Sequence, residues 1–288
     1  MRRTWRLLRR APLSAKIGLV IVALNLLAAL LAPLIAPHGE TVVVGAVWAG
    51  GFWASDFAGR KDLLLLGTDQ LGRDLLSRML YGARNTIAIA IATTTLSFAV
   101  GVTGGFLAAT LRGWTDQLLS RAVDILMAFP TLIFALLVLS VMGTDVPVLI
   151  LVIALLDATR VFRISRAVAM DVAVLDFVEA ARLRGEGLWW VMRREILPNA
   201  AAPLVAEFGL RFCFVFLFIA ALSFLGLGLQ PPAADWGSMV RENAAAISWG
   251  IVTPLIPAAA IALLTVGVNL VADWFLRRTS GIRDVPIR

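Results

Sequence analysis

Chemically reactive side chains are scarce in this sequence. Its 288 residues include one cysteine, Cys213, one histidine, His38, and two lysines, Lys16 and Lys61. A lone cysteine excludes an intrachain disulfide. A lone histidine excludes a paired-histidine metal site and an HExxH helix, and no Ser/His dyad is found, so an intramembrane enzyme is not the expected reading. His38 itself reads as a surface residue. No G-x-x-x-x-G-K-[ST] run occurs, so the chain has no phosphate loop and is not an ATPase. Charge is sparse as well: 16% of residues are Asp, Glu, Lys or Arg and 60% are hydrophobic. Soluble domains run near 25% and about 45–50%. No soluble core hides that much apolar surface, which makes lipid the expected solvent.

What is present are long uncharged runs. Five of them, 17–36, 86–111, 125–144, 212–230 and 243–272, match the roughly 20 helical residues that cross a hydrocarbon core. A sixth, 146–156, is shorter and spans if it continues past Asp157 toward Arg163. Asp157 then lies near the inner end or faces other helices. The fifth span is expected to begin near Ala201, which places Glu207 and Arg211 one turn apart within it. The apolar length of the first run exceeds the 7–15 residues of a typical signal-peptide core, so it reads as an uncleaved anchor. The expected fold is therefore an all-α integral membrane protein with about six transmembrane helices.

The net charge of +7 raises nucleic acid as a partner, but the arginines cluster between apolar runs, as membrane topology demands. With the N-terminus inside, the inner segments collect 19 of the 26 Lys and Arg, from Arg2 to Lys16, at Arg112 and Arg121, from Arg160 to Arg194, and from Arg277 onward. The outer segments hold Arg60, Lys61, Arg73, Arg78, Arg84 and Arg241. Both termini are expected in the cytoplasm. The chain divides into a basic tail (1–16), an anchor (17–36), an external loop (37–85), a five-span core (86–276) enclosing a cytoplasmic loop (158–198), and a second tail (277–288).

Two polar segments are too long to be simple connections. The external loop centres on Gly67-Thr68-Asp69-Gln70-Leu71-Gly72-Arg73-Asp74, whose Gly, Asp and Thr mark a tight hydrogen-bonded turn. It reads as a structured cap or as a contact for an outside partner. In the cytoplasmic loop, Glu179-Ala180-Ala181 falls on a short amphipathic helix ending near Gly185, where glycine permits a sharp change of direction. A second short helix covers 188–195, and Leu197-Pro198 opens the next span. Elsewhere, Gly101-x3-Gly105 permits close helix packing, and Thr93-Thr94-Thr95 can satisfy hydroxyls along its own helix. Glu207 and Arg211 form an i,i+4 pair, expected at the inner membrane boundary. With Asn269 and Asp273 they are the candidate pathway or packing polar residues, and Asp273 marks the inner interface.

The order Glu179-Ala180-Ala181-x3-Gly185, then Leu197-Pro198, resembles the EAA loop of ABC-importer permeases. Four further passages resemble the C-type permease of the dipeptide/oligopeptide/nickel branch. They are Leu66 through Arg78, Asp124 to Pro130, Phe224-Leu225-Gly226-Leu227-Gly228-Leu229-Gln230-Pro231-Pro232 with Asp235-Trp236-Gly237, and Asn269-Leu270 with Asp273. The resemblance runs from the first span to the C-terminus. It implies a permease subunit that forms half of a translocation pathway, probed from outside by a substrate-binding protein. A second homologous permease and two cytoplasmic ATPases complete the assembly in a bacterial inner membrane. Glu179, Ala180, Ala181, Gly185, Leu197 and Pro198 would couple it to those ATPases, which bind the ATP and magnesium; this chain binds no cofactor. Di- or oligopeptides are the implied cargo. A stand-alone secondary transporter or channel fits the same composition, although no clear internal repeat supports it.

Overall fold

The computed structural model describes residues 11–50 and 64–279. Arg2, Arg3, Arg6, Arg9 and Arg10, the loop charges Asp56, Arg60, Lys61 and Asp62, and the tail 280–288 lie outside the described residues. The described residues form helices and loops without a strand.

Helix α1 (Leu13–Ile35) is the anchor. Helix α2 (Leu75–Leu111) starts eleven residues ahead of the expected 86. Asp74 caps it, accepting from the backbone N–H groups of Leu76 and Ser77, which satisfies donors that a helix start leaves free. The third run does not cross as one rod. It breaks into α3 (Gly113–Ala128) and α4 (Thr131–Met142), bent by 87° at Phe129-Pro130. Proline disfavours helical backbone in the residue before it and lacks a donor of its own. Helix α5 (Val146–Ala173) runs past Arg163 through nearly three more turns of charged and apolar residues. Helix α6 (Asp176–Leu183) carries the Glu-Ala-Ala run. Helix α7 (Leu188–Val191) passes through a wide π turn (Met192–Ile196) into α8 (Leu197–Phe224). Helix α9 (Trp236–Glu242), a 3₁₀ turn (Ala244–Trp249) and α10 (Leu255–Thr279) complete the chain. The expected sixth span therefore begins twelve residues late. Residues 243–254 are uncharged but turn at Gly250, and the helix starts only after Pro254.

Among the described residues, four helical stretches are long and apolar enough to cross a membrane: Leu13–Ile35, Leu75–Leu111, Leu188–Phe224 and Leu255–Arg277. The bent α3–α4 pair makes a fifth if it counts as one. The 28-residue α5 has the length, about 42 Å, but carries Asp157, Arg160, Arg163 and Arg166 along one rod.

The bundle is built around α2 and α5. Gly101 and Gly105 bring the two backbones together: a Cβ on Gly101 would stand 2.6 Å from the Val161 Cβ, and one on Gly105 2.8 Å from the Phe162 carbonyl oxygen. The close approach expected of this glycine pair is thus made, by packing against α5. One apolar core joins α2, α5 and α8 around Phe216, Ile219, Leu222 and Trp236. A second gathers Phe106, Ala169, Val172, Val178, Ala181, Met192 and Ile196 beneath α6. The helix ends define two poles. The cap end holds 36–50, 64–78 and 225–254; the loop end holds 174–196. Helix α3 buries none of its residues. Arg163–Asp124 at 2.7 Å and the two-pronged Arg166–Asp116 pair fasten it to α5.

Candidate functional site

At the loop end, α6 is amphipathic. Val178 and Ala181, three residues apart and both fully buried, sit in the second core. Glu179, Ala180, Arg182 and Leu183 face outward, with Leu183 83% exposed. The Glu-Ala-Ala run is therefore split: Glu179 and Ala180 are offered to solvent, while Ala181 anchors the helix to its own chain. Phe177, Val174 and Leu175 are also exposed, which adds apolar surface to that face. Glu179, Arg182 and Leu183 border a cleft of about 500 Å³ completed by Arg112, Ala173 and Val174.

The helix ends in a closed hydrogen-bond pattern. The Gly185 N–H donates to the Arg182 carbonyl at 2.9 Å and the Glu186 N–H to the Ala181 carbonyl at 3.2 Å. Gly185 takes φ +81 between them, the left-handed residue such a helix end requires. Nothing lies within 4 Å of where its Cβ would be. Backbone conformation, not a crowded contact, accounts for the glycine. Leu197 and Pro198 are exposed in the first turn of α8, where the missing proline donor is harmless.

At the cap end, the Gly67 to Asp74 motif spends its polar groups internally. Asp69 accepts from the Leu71 and Arg73 N–H groups and pairs with Arg73 at 2.7 Å and Arg78 at 3.3 Å. Both arginines also reach Glu242, at 3.1 and 3.2 Å. Thr68 donates to the Ala46 carbonyl and accepts from the Ala49 N–H. Asn243 accepts from the Trp48 indole and the Gln70 N–H. Gly67 and Gly72 both take positive φ in the turn. His38, expected on the surface, has a side chain only 10% exposed, 3.4 Å from Asp74. Glu242 and Asn243 belong to this network, although the uncharged run starts an expected span at Asn243; two polar residues closing a charged segment are the signal.

Between the poles lies a third polar group. Arg211 Nε is 2.7 Å from Glu207 Oε1, so the expected pair forms. It lies midway along α8, and Arg211 also approaches Asp157 of α5 at 3.6 Å. Asp157 thus faces other helices and accepts from Ser97 of α2 at 2.9 Å. Of the three expected threonine bonds, the structure shows the Thr94 hydroxyl donating to the Ala90 carbonyl. Asn269 is half-buried and Asp273 exposed on α10. No hydrogen bond or ion pair among the described residues joins either to the cluster.

Residues 101–280 match the model of the family described as binding-protein-dependent transport system inner membrane component. Residues 1–47 match the N-terminal TM domain of oligopeptide transport permease C. The chain belongs to the binding-protein-dependent transport permeases. Membership in this family of permease subunits favours the subunit reading over that of a stand-alone transporter or channel. The permease is 34% identical to a di/tripeptide transport system permease protein of Pseudomonas aeruginosa, over 93% of this chain and 85% of that one. It is 34% identical to a dipeptide transport system permease protein of Escherichia coli, over 97% and 90%. A glutathione transport system permease protein of Pectobacterium atrosepticum is 33% identical over 76% and 70%. An amino acid ABC transporter of known structure shares the fold, with a TM-score of 0.52, 20% identity, and coverage of 70% of this chain and 94% of that one.

Proposed function

We propose that this permease imports di- or oligopeptides, and that α6 transmits the work of ATPase partners to the spans. The outward face of α6, with Glu179 and Ala180 exposed above a fully buried Val178 and Ala181, is the observation that carries the coupling reading. An exposed apolar and charged surface outside the lipid calls for a partner, and a helix rooted in the bundle core passes force into it. The peptide reading is supported by relatives whose names specify di- and tripeptides, and glutathione is itself a tripeptide.

The remaining parts of the assembly follow from that reading. A second homologous permease completes the pathway, two ATPases with ATP and magnesium bind at the loop end, and a substrate-binding protein docks at the cap end. The chain holds no cofactor of its own. The loop end is cytoplasmic and the cap external, because the arginine excess lies at the loop end, and the membrane is a bacterial inner membrane crossed six times. The division into tails, anchor, external loop and five-span core is kept, with Glu207, Arg211, Asn269 and Asp273 as its polar span residues. Affinity purification of this permease should recover a second permease and two ATPases. An active transporter made of this polypeptide alone would contradict the proposal.

A further inference from the structure

Four formal charges meet in the middle of the bundle. Asp157 lies about 16 Å along α5 from its cap-end start, and Arg211 about 20 Å along α8 from its cap-end finish. Charges at such a depth are expensive and mark pathways or partnerships. These four are not fully used by one another. Asp157 Oδ1, on a side chain 2% exposed, has no hydrogen bond, and Arg211 Nη1 is 3.6 Å away and equally unbonded. Arg211 Nε and Glu207 Oε1 stand 2.7 Å apart but off the hydrogen-bonding direction. Arg160 has no ion-pair partner among the described residues. Its guanidinium lies 4.4 Å over the Phe214 ring, and Arg211 lies 5.4 Å over the same ring. Among the described residues its guanidinium makes one hydrogen bond, a long donation of 3.4 Å to Thr131 Oγ1, the first residue after the α3–α4 break.

The cluster is also not sealed. Arg211 and Glu207 side chains are 20% and 13% exposed, and Arg160 is half-buried. Lipid cannot lie against unsatisfied charges at this depth, so the face they open on is wet or covered by protein. Two cations and two anions sum to zero, and a peptide carries one charge of each sign at its ends. A neutral, under-bonded set of both signs accepts such a ligand without adding net charge to the bilayer interior.

We propose that Arg160 and Arg211, which lie over Phe214, form with Asp157 and Glu207 a station on the translocation pathway that receives the charged ends of a peptide. The peptide carboxylate meets Arg160 and its ammonium meets Glu207. Phe214 holds the two guanidinium groups in place by cation–π contact. This rests on the peptide reading above and adds the residues that would recognise the cargo within the membrane.

The reporter is Thr131→Cys in a Cys213→Ala background, in the complete importer in proteoliposomes, with copurification of the ATPases as the check on assembly. An anionic methanethiosulfonate reagent should label it about tenfold faster than a cationic one, since the Arg160 guanidinium beside it concentrates anions locally although the cluster as a whole is neutral. Dialanine should slow labelling, and dialanine amide, which lacks the carboxylate, should slow it less. Arg160→Gln should abolish both effects; Arg160→Lys, which keeps the charge, should retain them. No labelling from either side, or labelling indifferent to dialanine and to Arg160→Gln, overturns the station. A wild-type importer that accumulates no peptide in an uptake assay refutes the peptide reading separately, whatever the labelling gives.

Discussion

At the cap end, the side chains of Arg73 and Arg78 are 6% and 1% exposed, and they share Asp69 and Glu242 between them. At the loop end, Glu179, Arg182 and Arg184 stand in solvent, and no ion pair among the described residues engages them. Both regions are polar, and their sequences look equally rich in charge. The difference lies in what the charges do. A buried network of paired charges, in which the Arg78 Nε makes no hydrogen bond, fastens three stretches of chain, 40–49, 67–78 and 234–243, into one piece. An exposed set above a buried apolar anchor leaves its bonding capacity for something else. One region is finished within this subunit; the other is half of an interface.

The contrast breaks most visibly at Arg78. Arg78→Ala leaves Asp69 and Glu242 buried with one cation fewer, and removing one partner of a buried ion pair costs about 3–5 kcal/mol. The variant should unfold well below wild type in a detergent thermal-shift assay; an unchanged midpoint would mean that the cap is not held by charge. Gly185→Val comes next. A β-branched residue forced to φ +81 costs about 1–2 kcal/mol, and the backbone escapes it by changing the end of α6. Stability should fall modestly while coupling falls severely. Gly185→Asn, which tolerates left-handed backbone, should recover much of the loss. The smallest effect belongs to Arg163→Ala. Its pair with Asp124 is about half exposed on both sides, and such pairs are worth roughly 0–1 kcal/mol. A large loss there would show that α3 depends on its ion pairs more than exposure suggests.

Orientation sharpens the comparison without touching stability. In a Cys213→Ala background, Val42→Cys should react with an impermeant thiol reagent in intact cells, and Leu183→Cys only after permeabilisation. The reverse pattern would place the cap inside.

How far the sequence foretold these regions follows the same line. Uncharged runs located the helices, because lipid imposes one rule on every residue that meets it. They misplaced helix ends wherever an uncharged residue was not helical: Phe129-Pro130 bends the third run, and residues 243–254 turn before α10 begins. The Glu-Ala-Ala helix and its terminal glycine were legible because they are local, a few consecutive residues with one geometric requirement. The partners of Arg73, Arg78 and Arg211 were not. Glu242 and Asp157 lie 169, 164 and 54 residues away in sequence, and nothing local marks which charge meets which. The i,i+4 pair Glu207–Arg211 was visible; its depth and its approach to Asp157 were tertiary facts.

The central claim is that α6 is a rigid strut between ATPase partners and the spans. The direct test compares ATP hydrolysis and peptide uptake in proteoliposomes for Gly185→Val and Glu179→Lys against Arg194→Lys as control. Glu179→Lys reverses an exposed charge on the docking face, where complementarity governs association. The account predicts that both test variants assemble and hydrolyse ATP while uptake falls about tenfold or more, a coupling loss of at least about 1.4 kcal/mol, with the control near wild type. Wild-type uptake in both test variants at normal expression would contradict it, and α6 would then be a solvated loop helix with no part in coupling.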